Sequence, residues 1–228
     1  MKKFNYKVIS VNLLDNHEVL LEFDNGENRV VDAMEFIKDI SKLQRFKDIN
    51  FFKRNIKVIN DTMAFDINED TSEYTCYDIA PEYLYLEYPD KKSYELYNKI
   101  KDFSPDGDDW SILDDILGEV YDYGYETNCL GAMFRLFEKY PEEDNDILWG
   151  MLHGIENIEG TEERIFWSLR RKESLFVIIM MNRLLNIGVS KISGLDLIEK
   201  LKEIMLNENV SEKIRKQAEE FYNYQNNK

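Results

Sequence analysis

Positive charge is what this sequence is shortest of. Lysines and arginines number 29 against 45 aspartates and glutamates, a formal net charge of −16. That field repels nucleic-acid phosphates and anionic lipid headgroups, so neither nucleic acid nor membrane is an expected partner. Cysteine is scarce as well: Cys76 and Cys129 stand alone, too few for a disulfide framework or a paired-cysteine metal site. Long apolar runs are missing. The longest, Leu175–Met181, has seven residues, against the ~18–20 of a membrane-spanning helix. The opening stretch MKKFNYKVISVNLL is too polar for the core of a signal peptide. The expected setting is therefore a reducing cytoplasm, that of a bacterium.

Core-forming residues are plentiful. The 228 residues are 43% apolar and 13% aromatic, enough for one large domain or two small ones. The first third alternates as strands do. Tyr6, Val8, Ser10 and Asn12 are expected on one strand face, with Lys7, Ile9, Val11 and Leu13 on the other. His17–Phe23 and Asn28–Val31 flank Asn25-Gly26, the pair that a tight hairpin needs for its positive φ angles. Short helices are expected over 33–54, and further strands at Ile56–Ile59, Thr62–Ile67 and Tyr74–Ile79. After Pro89 the period becomes helical. Leu113, Ile116, Leu117, Val120 and Tyr121 form one stripe. Similar stripes follow through Leu130–Phe137, Ile147–Ile155, Ile165–Leu169, Ile198–Met205 and Ile214–Tyr222, and Leu175–Leu185 is apolar nearly all round. Helical pairs begin near Thr127, Thr161 and Leu195, a spacing of about 34 residues that suggests stacked hairpins of the HEAT or tetratricopeptide kind, with an irregular bundle as the alternative. The fold class expected is α+β: an α+β module with an antiparallel meander over 1–88, then an all-helical domain over 89–228.

Signals for chemistry are few. His17 sits in a polar turn and is expected to be exposed and inert. Trp149, His153 and Glu156 share a helical stripe, where His153 reads as a half-buried, hydrogen-bonded residue, or as an acid–base pair with Glu156. Cys129 reads as structural. Asp66-Ile67-Asn68-Glu69-Asp70 begins like a calcium loop, but Thr71 stands where glycine is required and Tyr77 where the bidentate glutamate is required. There is no phosphate loop, dinucleotide fingerprint or histidine-pair helix. Neither a metal nor a cofactor is expected, and the chain does not read as an enzyme.

Charge segregation does stand out. Between Asp102 and Phe134 there is no lysine or arginine, while acids recur throughout. Asp106, Asp108, Asp109, Asp114, Asp115, Glu119, Asp122 and Glu126 are the candidate partner-binding residues. Asp115, Glu119 and Asp122 fall on one helix face opposite the apolar stripe. Like charges at i, i+4 cost a few tenths of a kcal/mol in helix stability. The stretch is therefore either a solvated face or a field that steers a basic partner.

Two resemblances add to this reading. Phe23, Asn25-Gly26-Glu27, Asp32 and Asp78-Ile79-Ala80-Pro81-Glu82-Tyr83-Leu84-Tyr85 resemble the small bacterial domain called DUF2442, over roughly residues 5–86, although that family usually has a tryptophan where this chain has Thr75, Cys76 or Tyr77. The resemblance implies a fold and no enzymatic activity. Leu148-Trp149, Leu152-His153-Gly154-Ile155-Glu156 and Met180–Gly188 resemble helical immunity proteins of bacterial toxin systems. That likeness implies a cognate toxin domain as partner, with Gly154 allowing close helix approach and Asn182 and Arg183 capping helices or pairing between them. The expected function is toxin neutralisation by protein–protein contact. The alternative is a helical adaptor without a toxin partner.

Overall fold

The computed structural model describes residues 6–227. The chain divides into two compact units, Met1–Glu95 and Leu96–Lys228.

The first unit opens with an antiparallel sheet in the order β1 (Val8–Leu13), β2 (Glu18–Phe23), β3 (Asn28–Asp32). The β2–β3 turn is the expected one: Gly26 takes φ +85° and the Asn25 side chain accepts from the Glu27 N–H. Strand β1 departs from simple alternation. Its pairing shifts between Val8 and Ser10, a bulge that absorbs Ile9. A bulge reverses the facing of everything beyond it. Tyr6 and Val8 are therefore joined on the core side by Val11, not by Ser10 and Asn12.

A four-residue helix α1 (Met34–Ile37), a 3-10 turn (Ser41–Lys47) and α2 (Ile49–Asn55) follow. The Asp48 carboxylate starts α2 by accepting from the Asn50 and Phe51 N–H groups. A second sheet has the order β4 (Ile56–Ile59), β5 (Thr62–Phe65), β6 (Tyr77–Asp78). Its first hairpin turns on Asn60 and Asp61, both at φ +57°, as a two-residue primed turn requires. The strands expected at Thr62–Ile67 and Tyr74–Ile79 are shorter here, because residues 66–76 fold on themselves around Asp66 and Asp70. Helix α3 (Pro81–Glu87) starts on a proline, which has no N–H to lose at a first-turn position. Phe23, Phe46, Phe52, Phe65, Leu21, Ile37 and Leu84 fill the core of this unit. Residues 89–95 belong to it, beyond the expected boundary at 88: the Val30 N–H donates to the Pro89 carbonyl and the Lys91 N–H to Asn28.

The second unit is helical, in keeping with an α+β chain: α4 (Tyr94–Asp102) from Leu96 onward, α5 (Ser111–Tyr123), α6 (Glu126–Lys139), α7 (Asp146–Ile155), α8 (Thr161–Arg171), α9 (Leu175–Asn186), α10 (Leu197–Leu206) and α11 (Glu212–Asn226). The apolar stripes face one core. Leu113, Leu117 and Val120 enter it from α5, and seven consecutive residues, Leu175–Met181, from α9. Helix α6 packs on α8, and α9 on α11. A small hairpin, β7 (Lys191–Ile192) with β8 (Leu195–Asp196), stands between α9 and α10. Its two-residue strands are too short to leave a periodic signal in sequence.

Candidate functional site

The acidic segment is built from a pinned loop and the exposed side of α5. The Lys139 ammonium and the Tyr140 hydroxyl donate to the Phe103 carbonyl. Trp110 packs edge-on against Tyr140 and beside Phe103. Asp106 and Asp109 exchange backbone hydrogen bonds around Gly107, whose φ is +59°. The loop therefore delivers the chain to the start of α5 in a fixed direction. From there Leu113, Leu117 and Val120 point inward, and Asp114, Asp115, Glu119 and Asp122 point to solvent.

The structure brings all eight predicted acids to the surface of this one region, with Asp106, Asp108, Asp109, Asp114, Asp115, Glu119 and Asp122 exposed and Glu126 half-buried. They do not share one role. Asp109 accepts from the Ser111 backbone N–H, then from its side chain, and these bonds hold the carboxyl below its ordinary range. Asp114 lies in the first turn of α5 and Glu126 in the first turn of α6, where a negative charge favours the helix dipole. Glu119 meets Lys99 of α4 at 3.8 Å. The run without basic residues in sequence is therefore not without them in space, because α4 brings Lys99 alongside. Asp108, Asp115 and Asp122 have no ion pair among the described residues. Ile112 and Tyr123, 62% and 66% exposed, lie on the same helix.

Elsewhere in this unit several cations are matched. Arg171 forks onto Glu138, Lys200 meets Glu173 and Glu203, Lys191 meets Asp196, and Lys216 meets Glu212. The surplus negative charge is concentrated on α5 and its entry loop.

The histidines differ from expectation. His17 is not simply exposed. It is half-buried at φ +68°, its Nε2 lies 3.0 Å from the Phe46 carbonyl, and its ring leans on Phe52. His153 is exposed instead of half-buried. Its Nδ1 is 3.5 Å from Glu156 and 3.3 Å from an Arg183 nitrogen. Arg183 also pairs directly with Glu156 and lies 5.9 Å from the Trp149 ring centre. Arginine thus neutralises the carboxylate that would serve His153 as a base, and the cluster works as a tie between α7 and α9. The expected inter-helix role of Asn182 is met by Gln225 of α11, whose amide donates to it at 2.6 Å.

The turn and helix residues Asn25, Glu27 and Tyr85 also come together. Arg29, 5% exposed, lies over the Tyr85 ring and binds Glu27, while Asn25 donates to the Tyr85 hydroxyl and Tyr6 stacks on Tyr85. Burial, then the Tyr85 hydroxyl, push the Tyr6 phenol far above its usual range. This is a packing device that fastens α3 to the β2–β3 turn. In the loop that begins like a calcium site, the Asp66 oxygens are taken by Lys57 and by the Asp70 and Thr71 N–H groups. Among the described residues no group of three or more histidines, cysteines or carboxylates is placed to hold a metal ion. Among the same residues no helix is long and apolar enough to cross a membrane.

No family model matches this chain, and no curated protein or solved structure matches it significantly.

Proposed function

We propose that this chain is a cytoplasmic immunity protein that neutralises a cognate bacterial toxin domain by contact, without catalysis. The observation that carries the reading is the distribution of charge. Several cations of the helical unit, Arg171, Lys191, Lys200 and Lys216 among them, pair with carboxylates, whereas α5 and its entry loop present Asp108, Asp115 and Asp122 to solvent without ion pairs among the described residues. An unneutralised field of one sign speeds encounter with a surface of the other. The partner that fits is a basic toxin surface, a nuclease cleft being the leading case, where carboxylates would stand in for phosphates. Ile112 and Tyr123 supply apolar contact beside the acids.

Co-expression with the toxin domain encoded beside it, followed by pull-down and stopped-flow association, tests the reading. The expected result is a stable complex whose association rate falls steeply between ~10 and ~500 mM salt. A rate indifferent to salt removes the electrostatic part, and failure to bind or protect against the toxin removes the whole.

A further inference from the structure

Tyr74 is 95% exposed, the most open large apolar side chain among the described residues. The loop that carries it is firmly held. The buried Asp66 carboxylate accepts from the Lys57 ammonium at 2.6 Å and from the Asp70 and Thr71 N–H groups at 3.2 and 3.1 Å. Asp70 accepts from the Ser72 N–H and the Thr75 hydroxyl, both at 3.1 Å. The Ser72 hydroxyl accepts from the Tyr74 N–H, and its carbonyl from the Thr75 and Cys76 N–H groups. Asn60 donates to the Glu73 carbonyl at 3.1 Å. Thr71 is kept at φ +53°, a left-handed conformation that a β-branched residue rarely adopts. The backbone is thus tied on both sides of Tyr74 while its ring is left in water. Binding through such a ring carries little further backbone ordering cost.

The same unit shows what an aromatic ring beside a glutamate takes. The Arg29 guanidinium lies 3.9 Å from the centre of the Tyr85 ring while its Nη2 binds Glu27 at 2.8 Å. The Arg45 guanidinium lies 3.8 Å from the centre of the Phe51 ring while its Nη2 binds Glu69 at 3.0 Å. Each arginine meets one aromatic face and one carboxylate, and Arg29 donates in addition to the Tyr85 and Asn28 carbonyls. Tyr74 and the adjacent Glu73 offer both halves of that arrangement at the surface, and Glu73 has no ion pair among the described residues.

We infer that Tyr74 and Glu73 form a docking point for an arginine-bearing segment of a protein partner, whose guanidinium stacks on the ring and pairs with the carboxylate. Stacking and charge-assisted pairing reinforce one another at such a point, and the chain's net charge of −16 favours a basic occupant. The inference stands apart from the α5 reading, because it concerns the other unit and requires no toxin.

The test pans a phage-displayed library of random peptides on the immobilised full-length chain. Selected peptides are then synthesised with each arginine in turn replaced by citrulline, which keeps the shape and removes the charge. The expected result is arginine-rich peptides whose affinity falls about tenfold with citrulline or with Tyr74→Ala, falls less with Glu73→Gln, and survives Tyr74→Phe. The double variant Asp115→Lys/Asp122→Lys should bind them as the parent does. The inference is overturned if no selected peptide depends on Tyr74, if citrulline is tolerated, or if binding follows the α5 variant instead. Tyr74 is so exposed that its replacement should leave the unfolding midpoint unchanged, which separates lost binding from lost fold.

Discussion

The Tyr121 hydroxyl stands where a β-carbon on Gly154 would have to be. Burial, and after it the Glu126 carboxylate, raise the Tyr121 phenol above its usual range. Glycine in mid-helix ordinarily costs about 1 kcal/mol relative to alanine, so Gly154→Ala would stabilise α7 if nothing lay above it. With Tyr121 present, the added methyl must push aside the hydroxyl end of that partly exposed ring, so the gain should be reduced. In a Tyr121→Ala background the same substitution should gain up to about 1 kcal/mol. Urea unfolding of the four proteins checks the difference between the two backgrounds. An equal gain in both would show that the ring does not oppose a side chain at this position.

The Arg171–Glu138 pair fastens α8 to α6, with three hydrogen bonds between 2.8 and 3.1 Å. Removing one partner of a mostly buried pair leaves the other charge without compensation. Glu138→Ala should cost about 3 kcal/mol, and Arg171→Lys should recover little, because an ammonium does not reproduce the fork. Glu138→Leu combined with Arg171→Met should be less destabilised than Glu138→Ala alone. Chemical denaturation of the set measures it.

These predictions rest partly on features legible in sequence and partly on features that are not. The stripe Leu113–Leu117–Val120 and the Asn25-Gly26 turn were readable because each is decided by residues a few positions apart. The bulge at Ile9 was not, since it depends on how β1 meets Glu22 and Phe23 of its partner strand. His17 was misread for a similar reason: the Phe46 carbonyl that receives it lies 29 residues away. The acidic side of α5 was visible, whereas Lys99 beside Glu119 depends on α4 lying alongside. Tyr74 left one signal that went unused, an aromatic residue set among Glu69, Asp70 and Glu73 in an otherwise polar loop.

Acid should loosen the 66–76 loop in a defined direction. Burial by itself would raise the Asp66 carboxyl, but the Lys57 ammonium and the Thr71 and Asp70 N–H groups outweigh it and hold the carboxyl below its ordinary range. A group depressed in the folded state contributes stability above its unfolded value and loses it as pH falls through the folded one. Asp66→Asn should therefore be destabilised by about 2–3 kcal/mol at pH 7, and its deficit against the parent should shrink below about pH 4. Urea midpoints at pH 7 and pH 3 provide the comparison. A constant deficit would mean that Asp66 contributes through shape and hydrogen bonding, not through charge.

Charge reversal on α5 should separate stability from function. Asp115 sits four residues before Glu119 on the exposed side of the helix, and Lys99 is the only cation seen against this pair among the described residues. Asp115→Lys replaces a repulsive i, i+4 pair with an attractive one, so it should raise stability by about 0.3–0.5 kcal/mol. Adding Asp122→Lys leaves the buried stripe of α5 untouched. If the acids only solvate the helix, the doubly reversed protein should protect against the proposed toxin partner as well as the parent does. If they steer a basic surface, association should slow by about tenfold or more at low salt and lose most of its salt dependence, while the unfolding midpoint stays level or rises. A protein that is more stable but protects less would set these carboxylates apart as functional, since a residue kept for folding cannot improve the fold by being reversed.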